Sequence, residues 1–184
     1  AGHVGRALVE VLRPMPGVAL TWVDTAPERF PSDIPGGVTP LTAPEPPRAM
    51  ALAPRDAAHL ILTYSHEIDL ALCHAALTHG FGFCGLIGSD TKWRRFRGRL
   101  QALGHADAEI GRICCPIGRK DLGKHPQAIA IGVAAYAVGT RALAWAGAAA
   151  AALTGIFGIY HTGVERGFWE GPSTCTSSSP AGLS

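Results

Sequence analysis

Ala1-Gly2-His3-Val4-Gly5, with the later run Ala19-Leu20-Thr21-Trp22-Val23 and the Asp24 that closes it, is the stretch that decides the fold. The dinucleotide-binding fingerprint is G-x-G-x-x-G at the start of a helix, after a strand, with an acidic residue about twenty positions on. Gly2 and Gly5 have the spacing of the second and third glycines, and Asp24 stands where the acid belongs. In such a turn the second glycine lets backbone approach a pyrophosphate, and the third lets the helix pack close to its strand. The acid accepts hydrogen bonds from a ribose. Gly2, His3, Val4 and Gly5 are therefore candidate pyrophosphate-facing residues, and Asp24 is the candidate ribose ligand. The competing reading is a tight turn, with Asp24 as an ordinary strand-end residue. The first glycine and its strand do not appear in the sequence, so the expected sheet lacks its first strand.

Working outward, Leu8, Val11 and Leu12 share one face of a helix that begins near Gly5 and ends at Pro14, Pro16 and Gly17. Residues 27–56, rich in proline, glycine and alanine, read as mostly loop with at most a short strand. Leu60-Ile61-Leu62-Thr63 reads as a second strand, followed by a helix from about Asp69 with Leu70, Cys73 and Leu77 inward and Gly80 at its end. Phe83-Cys84-Gly85-Leu86-Ile87 reads as a third strand. It runs into Gly88-Ser89-Asp90, where Ser89 or Asp90 caps a helix that turns Trp93, Phe96, Leu100 and Leu103 inward. Strand and helix in alternation predict an α/β fold, a Rossmann-like doubly wound parallel sheet.

The chain has 184 residues, 47% hydrophobic and only 16% charged, with a net charge of +2. That charge is too weak to argue for nucleic acid. The low charged fraction points to a segment that does not face water. Ala128–Ala137 reads as a small-residue helix interrupted by Arg141. Residues 142–160 then carry no charge, which meets the length criterion for a membrane helix; a buried alanine-rich core helix is the alternative. The serine-rich tail from Ser173 reads as disordered or loop. Of the five cysteines, Cys73, Cys84, Cys114 and Cys115 read as buried reduced thiols, and no C-x-x-C occurs.

Further motifs lie in fixed order along the first three quarters of the chain. They are Leu62-Thr63-Tyr64-Ser65-His66-Glu67-Ile68-Asp69, Gly85-Leu86-Ile87-Gly88-Ser89-Asp90-Thr91-Lys92, Cys115-Pro116-Ile117-Gly118 and Gly123-Lys124-His125-Pro126. With Gly2–Ala7 and Trp22-Val23-Asp24, they make residues 1–135 resemble the C-terminal domain of the XdhC/CoxI family, accessory proteins of xanthine dehydrogenase and related molybdenum hydroxylases. The resemblance implies a Rossmann domain that helps insert or mature the molybdenum cofactor, a molybdenum hydroxylase apoenzyme as partner, and a cytoplasmic location. A homodimer is also expected. Residues 136–184 form the second expected unit. There Arg141–Ala144 and Tyr160–Cys175 resemble a piece of the DsbB family, a membrane span with the start of a periplasmic loop. That resemblance implies inner-membrane anchoring through residues 142–160 and makes Cys175 a redox candidate. DsbB-type electron transfer needs two cysteine pairs, because it proceeds by exchange between dithiols, so turnover is not expected of this chain.

The remaining site candidates follow from strand ends, since open α/β sheets bind ligands outside the carboxyl ends of their strands. Ser65 and His66 follow one such end, where a histidine moves a proton or holds an anion. Gly88, Ser89 and Lys92 follow the next, where a helix N-terminus and a positive charge suit a phosphate, including that of molybdopterin. The plain readings are helix caps, a core histidine and solvated basic residues. The run from Lys92 through Arg94, Arg95, Arg97 and Arg99 reads as a solvated helix face. No metal-ligand spacing occurs among the histidines. Three readings stay open: a maturation module holding NAD(P) or the molybdenum cofactor, an NAD(P)-dependent oxidoreductase, and a fragment of a membrane thiol–disulfide oxidoreductase.

Overall fold

The computed structural model describes residues 2–118 and 120–168, without the side chains of residues 120, 140–150, 157, 158 and 163. Among the described residues five strands, all paired in parallel, form two small sheets. β1 (Leu20–Asp24) pairs with β2 (Val38–Thr42), from Leu20 opposite Val38 to Asp24 opposite Thr42. β3 (Ala58–Ile61), β4 (Phe83–Leu86) and β5 (Ile113–Cys114) form the second sheet, in that order. These parallel sheets, alternating with helices along the chain, fit a Rossmann-like α/β fold.

Side-chain alternation along β3 and β4 divides the core between two faces, as the period of two requires. Ile61, Cys84 and Leu86 point to one face. There they meet Leu70, Cys73 and Ala76 of α3 (His66–His79) and Phe96 and Leu100 of α4 (Asp90–Ala102). Leu60, Leu62, Phe83 and Ile87 point to the other face, against Ala7, Leu8 and Leu12 of α1 (His3–Leu12). Ala130, Val133 and Ala134 of the last helix, Pro126–Glu165, pack into the same cluster. Leu20 of β1 joins it too, so α1 and the start of that helix serve both sheets.

Several boundaries differ from expectation. α1 begins at His3, with Gly2 as its N-cap, so Gly5 lies in the first turn. α3 begins at His66 because Ser65 caps it, three residues before the expected Asp69. Residues 27–56 hold β2, a short helix α2 (Pro46–Ala49) and turns of 3-10 helix at Pro27–Arg29 and Met50–Leu52. Leu103 follows the last residue of α4 as its C-cap and is exposed rather than inward. Cys114 and Cys115 are half-buried, not fully buried.

The chain divides into two units, 1–139 and 140–184. Arg141 does not interrupt the last helix, which runs without a break from Pro126 to Glu165. Within the second unit Leu153, Ile156 and Ile159 are exposed, and His161 Nδ1 lies 3.4 Å from Glu165. Among the described residues no helix is long and apolar enough to cross a membrane. The span expected at 142–160 falls partly on side chains outside the described ones, and Cys175 lies beyond them altogether.

Candidate functional site

The carboxyl ends of the parallel strands bring most of the candidate residues to one edge of the first unit. Asp24 ends β1. Thr63 to His66 follow β3, and Gly88 to Lys92 follow β4. Cys115 and a cis Cys115–Pro116 bond follow β5. α1 leads into β1 through a short turn that ends with Gly17 at φ +75°. Ten helical residues span about 15 Å and five strand residues about 16 Å. Because α1 packs back along β1, its N-terminus returns to this same edge, with Gly2 and His3 exposed and Val4 and Gly5 half-buried.

The three helix starts at this edge are not equivalent. Ser65, in extended conformation, accepts hydrogen bonds through Oγ from the Glu67 and Ile68 amides at 3.2 and 3.4 Å. Ser89 Oγ accepts from the Lys92 amide at 3.2 Å. Both hydroxyls are thus spent on their own helices, as N-caps are. α1 has a glycine at its N-cap and no side-chain cap bond. Its first-turn amides are the ones left to an anion, which the helix dipole favours there.

Lys92 does not join the solvated run. Arg94, Arg95, Arg97 and Arg99 are exposed, but the Lys92 ammonium turns inward, donating to Asp69 Oδ2 at 2.5 Å and to the Ile87 carbonyl at 3.2 Å. The Asp69 side chain is 3% exposed and that of Lys92 13%. Asp69 Oδ1 accepts from the Thr63 amide at 3.0 Å, and Thr63 Oγ1 donates to the Ser65 carbonyl at 2.9 Å. This network ties the loops after β3 and β4 together. Gly88 makes room for it: a Cβ there would lie 3.0 Å from Lys92 Cδ and 3.5 Å from Cys115 Sγ. Burial pushes the Cys115 thiol up to about 11, against the opposing pull of the Lys92 charge. The neighbouring network therefore holds a neutral thiol. His66 is exposed on the first turn of α3.

At the end of β1, Asp24 Oδ1 accepts from the Thr25 amide at 2.8 Å and lies 3.9 Å from Arg29 Nε. The Ala43 amide donates to the Asp24 carbonyl at 2.9 Å, so β2 ends beside it. A pocket of about 400 Å³ opens after β2, lined by Leu41, Thr42, Ala43 and Pro44 with Arg48 and Leu52. The Arg29 guanidinium lies over the Tyr64 ring, 4.5 Å from its centroid. Arg29, Tyr64 and Asp69 are not among the site candidates read from the sequence, although Tyr64 and Asp69 lie in the Leu62–Asp69 motif. Tyr64 carried a usable signal, an aromatic residue directly after a strand end. Among the described residues no group of His, Cys, Asp and Glu side chains converges as a metal site.

The XdhC Rossmann-domain family matches residues 1–136. The chain belongs to that family. A crystal structure described as a xanthine dehydrogenase from Bacillus halodurans superposes with a TM-score of 0.60 at 22% identity, over 73% of this chain and 38% of that one. At that identity the likeness shows the fold, and this chain spans well under half the length of that protein. No curated protein matches the chain. The family match ends at residue 136, and the comparisons give no support to the DsbB resemblance of residues 140–184.

Proposed function

We propose that the first unit is a cofactor-handling module of the machinery that matures a xanthine dehydrogenase-type molybdenum hydroxylase. It would bind a dinucleotide, or the molybdenum cofactor, at the carboxyl edge of its sheet. The observation that carries this reading is the family match over the same residues whose strand ends collect Gly2, His3, Val4, Gly5, Asp24, Ser65, His66, Gly88, Ser89 and Lys92. The uncapped start of α1 beside Asp24 suits the pyrophosphate and ribose of NAD(P). The serine caps and the inward Lys92 make the start of α4 a poorer seat for the phosphate of molybdopterin. His66 and the α3 start would face whatever ligand lies along this edge.

On this reading the module works in the cytoplasm beside a hydroxylase apoenzyme. Thiol–disulfide chemistry of the DsbB kind finds no support in the comparisons, and its candidate Cys175 lies outside the described residues. Calorimetric titration of the full chain with NAD+ and with molybdopterin tests the reading. Saturable binding of either ligand, weakened by Asp24→Ala for the nucleotide, is expected. Failure of both ligands to bind would remove the edge as a cofactor site.

A further inference from the structure

α4 carries four arginines and a lysine against one aspartate in 13 residues. Two of these cations have partners: Lys92 turns inward to Asp69, and Arg97 lies 3.2 Å from Asp107. Arg94, Arg95 and Arg99 are exposed and have no carboxylate partner among the described residues. Thr91, Arg94, Arg95, Gly98 and Ala102 recur at spacings of three and four, so they form one outward stripe opposite the buried Phe96 and Leu100. Arg99 flanks that stripe. The helix itself gains nothing from this arrangement. Arg94 with Arg97, and Arg95 with Arg99, set like charges at neighbouring positions, which destabilises a helix. Glycine in a helix interior destabilises it further. Neither backbone nor packing requires Gly98: its conformation is helical, and a Cβ there would meet nothing within 4 Å. We propose that this face of α4 docks an acidic surface of the hydroxylase apoenzyme, with Gly98 at the point of closest approach. This rests on the reading of the first unit as a maturation module.

The side chains suit such a partner. Arginine pairs with a carboxylate through two parallel N–H bonds and loses less hydration than lysine in doing so. Between Arg94 and Arg95 on the stripe, the missing Cβ of Gly98 leaves room for a partner backbone to come close. The position suits a transfer as well. Ser89 caps α4 directly after β4, so the helix starts at the edge that gathers the cofactor candidates. Arg94 stands about 6 Å along the helix axis from Asp90. A partner seated on the stripe therefore lies beside that edge, and attraction between unlike surfaces steers it there. Nucleic acid fits less well. The net charge of the chain is only +2. The stripe has no aromatic ring for a base to stack on, since Trp93 packs against the core.

Interferometry of the full chain on immobilised hydroxylase, purified from cells that lack this chain, tests the proposal. The variants are Arg94→Glu with Arg95→Glu, Arg94→Lys with Arg95→Lys, Gly98→Leu, and Arg13→Glu as a control on α1. Wild-type binding should weaken as salt rises from about 50 to about 300 mM. The double glutamate variant should bind at least about tenfold more weakly, while the double lysine variant and Arg13→Glu stay within about threefold. Gly98→Leu should bind about tenfold more weakly although its melting temperature does not fall, because leucine is the better helix former. That split separates a docking role from a structural one. Hydroxylase binding that survives the double glutamate variant within about twofold overturns the docking face and leaves the maturation reading standing. Unchanged binding by Gly98→Leu overturns the close approach. Tighter wild-type binding to duplex DNA or to phosphatidylglycerol vesicles than to the hydroxylase, lost in the double glutamate variant, overturns the choice of partner. No binding of the wild-type chain to the hydroxylase overturns both this proposal and the maturation reading beneath it.

Discussion

Replacing Lys92 by methionine probes the buried pair that joins the loops after β3 and β4. The ammonium now gives one N–H to Asp69 Oδ2 and another to the Ile87 carbonyl. Methionine keeps most of the stem that packs against Gly88 and removes the charge together with its N–H donors. The Asp69 carboxylate, 3% exposed, is then left to the Thr63 amide. Breaking a buried pair from one side costs about 3–5 kcal/mol, a large part of the roughly 5–15 kcal/mol that holds a domain of this kind together. With a urea dependence of about 2 kcal/mol per molar, the unfolding midpoint falls by about 1.5–2.5 M. Arg95→Met, on the exposed run of the same helix, should change stability by no more than about 0.5 kcal/mol. Removing both charges, with Lys92→Met and Asp69→Leu together, should recover most of the loss. Urea unfolding followed by circular dichroism reads all four proteins. If Lys92→Met moves the midpoint no further than Arg95→Met, Lys92 is solvated, and the argument that it is unavailable to a ligand fails.

Three further outcomes follow from the same packing. His59 on β3 has a buried Nε2 with no partner among the described residues; burial first, and the charge of His79 second, hold its pKa below the ordinary 6.5. A folded pKa below the unfolded one means that this stability is complete above pH 6.5 and is lost as pH falls below it. The wild-type melting temperature should therefore drop more than that of His59→Gln between pH ~7 and ~5.5, and parallel slopes would refute the assignment. At Gly85 an added Cβ would lie 2.2 Å from Ile117 Cδ1 and 3.2 Å from Phe83 Cε1. Gly85→Ala should cost about 1–3 kcal/mol in thermal unfolding, and Ile117→Val, which deletes that Cδ1, should restore most of it. With the Cys115 thiol pushed up to about 11, only about one molecule in a thousand carries the thiolate at pH 8. Iodoacetamide labelling followed by mass spectrometry should be far slower at Cys115 than for an unperturbed thiol, and equal rates would contradict its protonated state.

The elements that were legible in the sequence are those with strong local patterns. Ala19–Val23, Leu60–Thr63 and Phe83–Ile87 read as buried strands because apolar runs bounded by turn residues have few other uses, and all three places hold parallel strands. Their shifts of one or two residues reflect what periodicity cannot see: β3 starts at Ala58 because Ala58 pairs with Phe83. The short strand allowed within 27–56 could not be placed, because Pro40 stands inside β2, opposite Trp22, and its pairing is with β1. β5 is two residues long and exists only through its register with Cys84 and Gly85. In the site, Asp24, Ser65 and Ser89 were legible by position, each at a strand end or a cap. Lys92 reads from the sequence as an anion ligand because it follows a strand end at a helix N-terminus. The partner that turns it inward, Asp69, sits on another helix and gives no local signal. Arg29 and Tyr64 are separated by β2, α2 and β3, and only the folded chain brings them together.

The central claim, that this chain serves the maturation of a molybdenum hydroxylase through its cofactor edge, meets its most direct test in the metal content of the hydroxylase itself. The hydroxylase is purified from cells of the source organism that lack this chain, that carry it, or that carry it with Asp24→Ala. Molybdenum is measured by mass spectrometry alongside activity. The account predicts a molybdenum-poor, inactive hydroxylase without the chain, restoration by the wild-type chain, and incomplete restoration by the variant. A hydroxylase with full molybdenum content and activity in cells lacking the chain would contradict it.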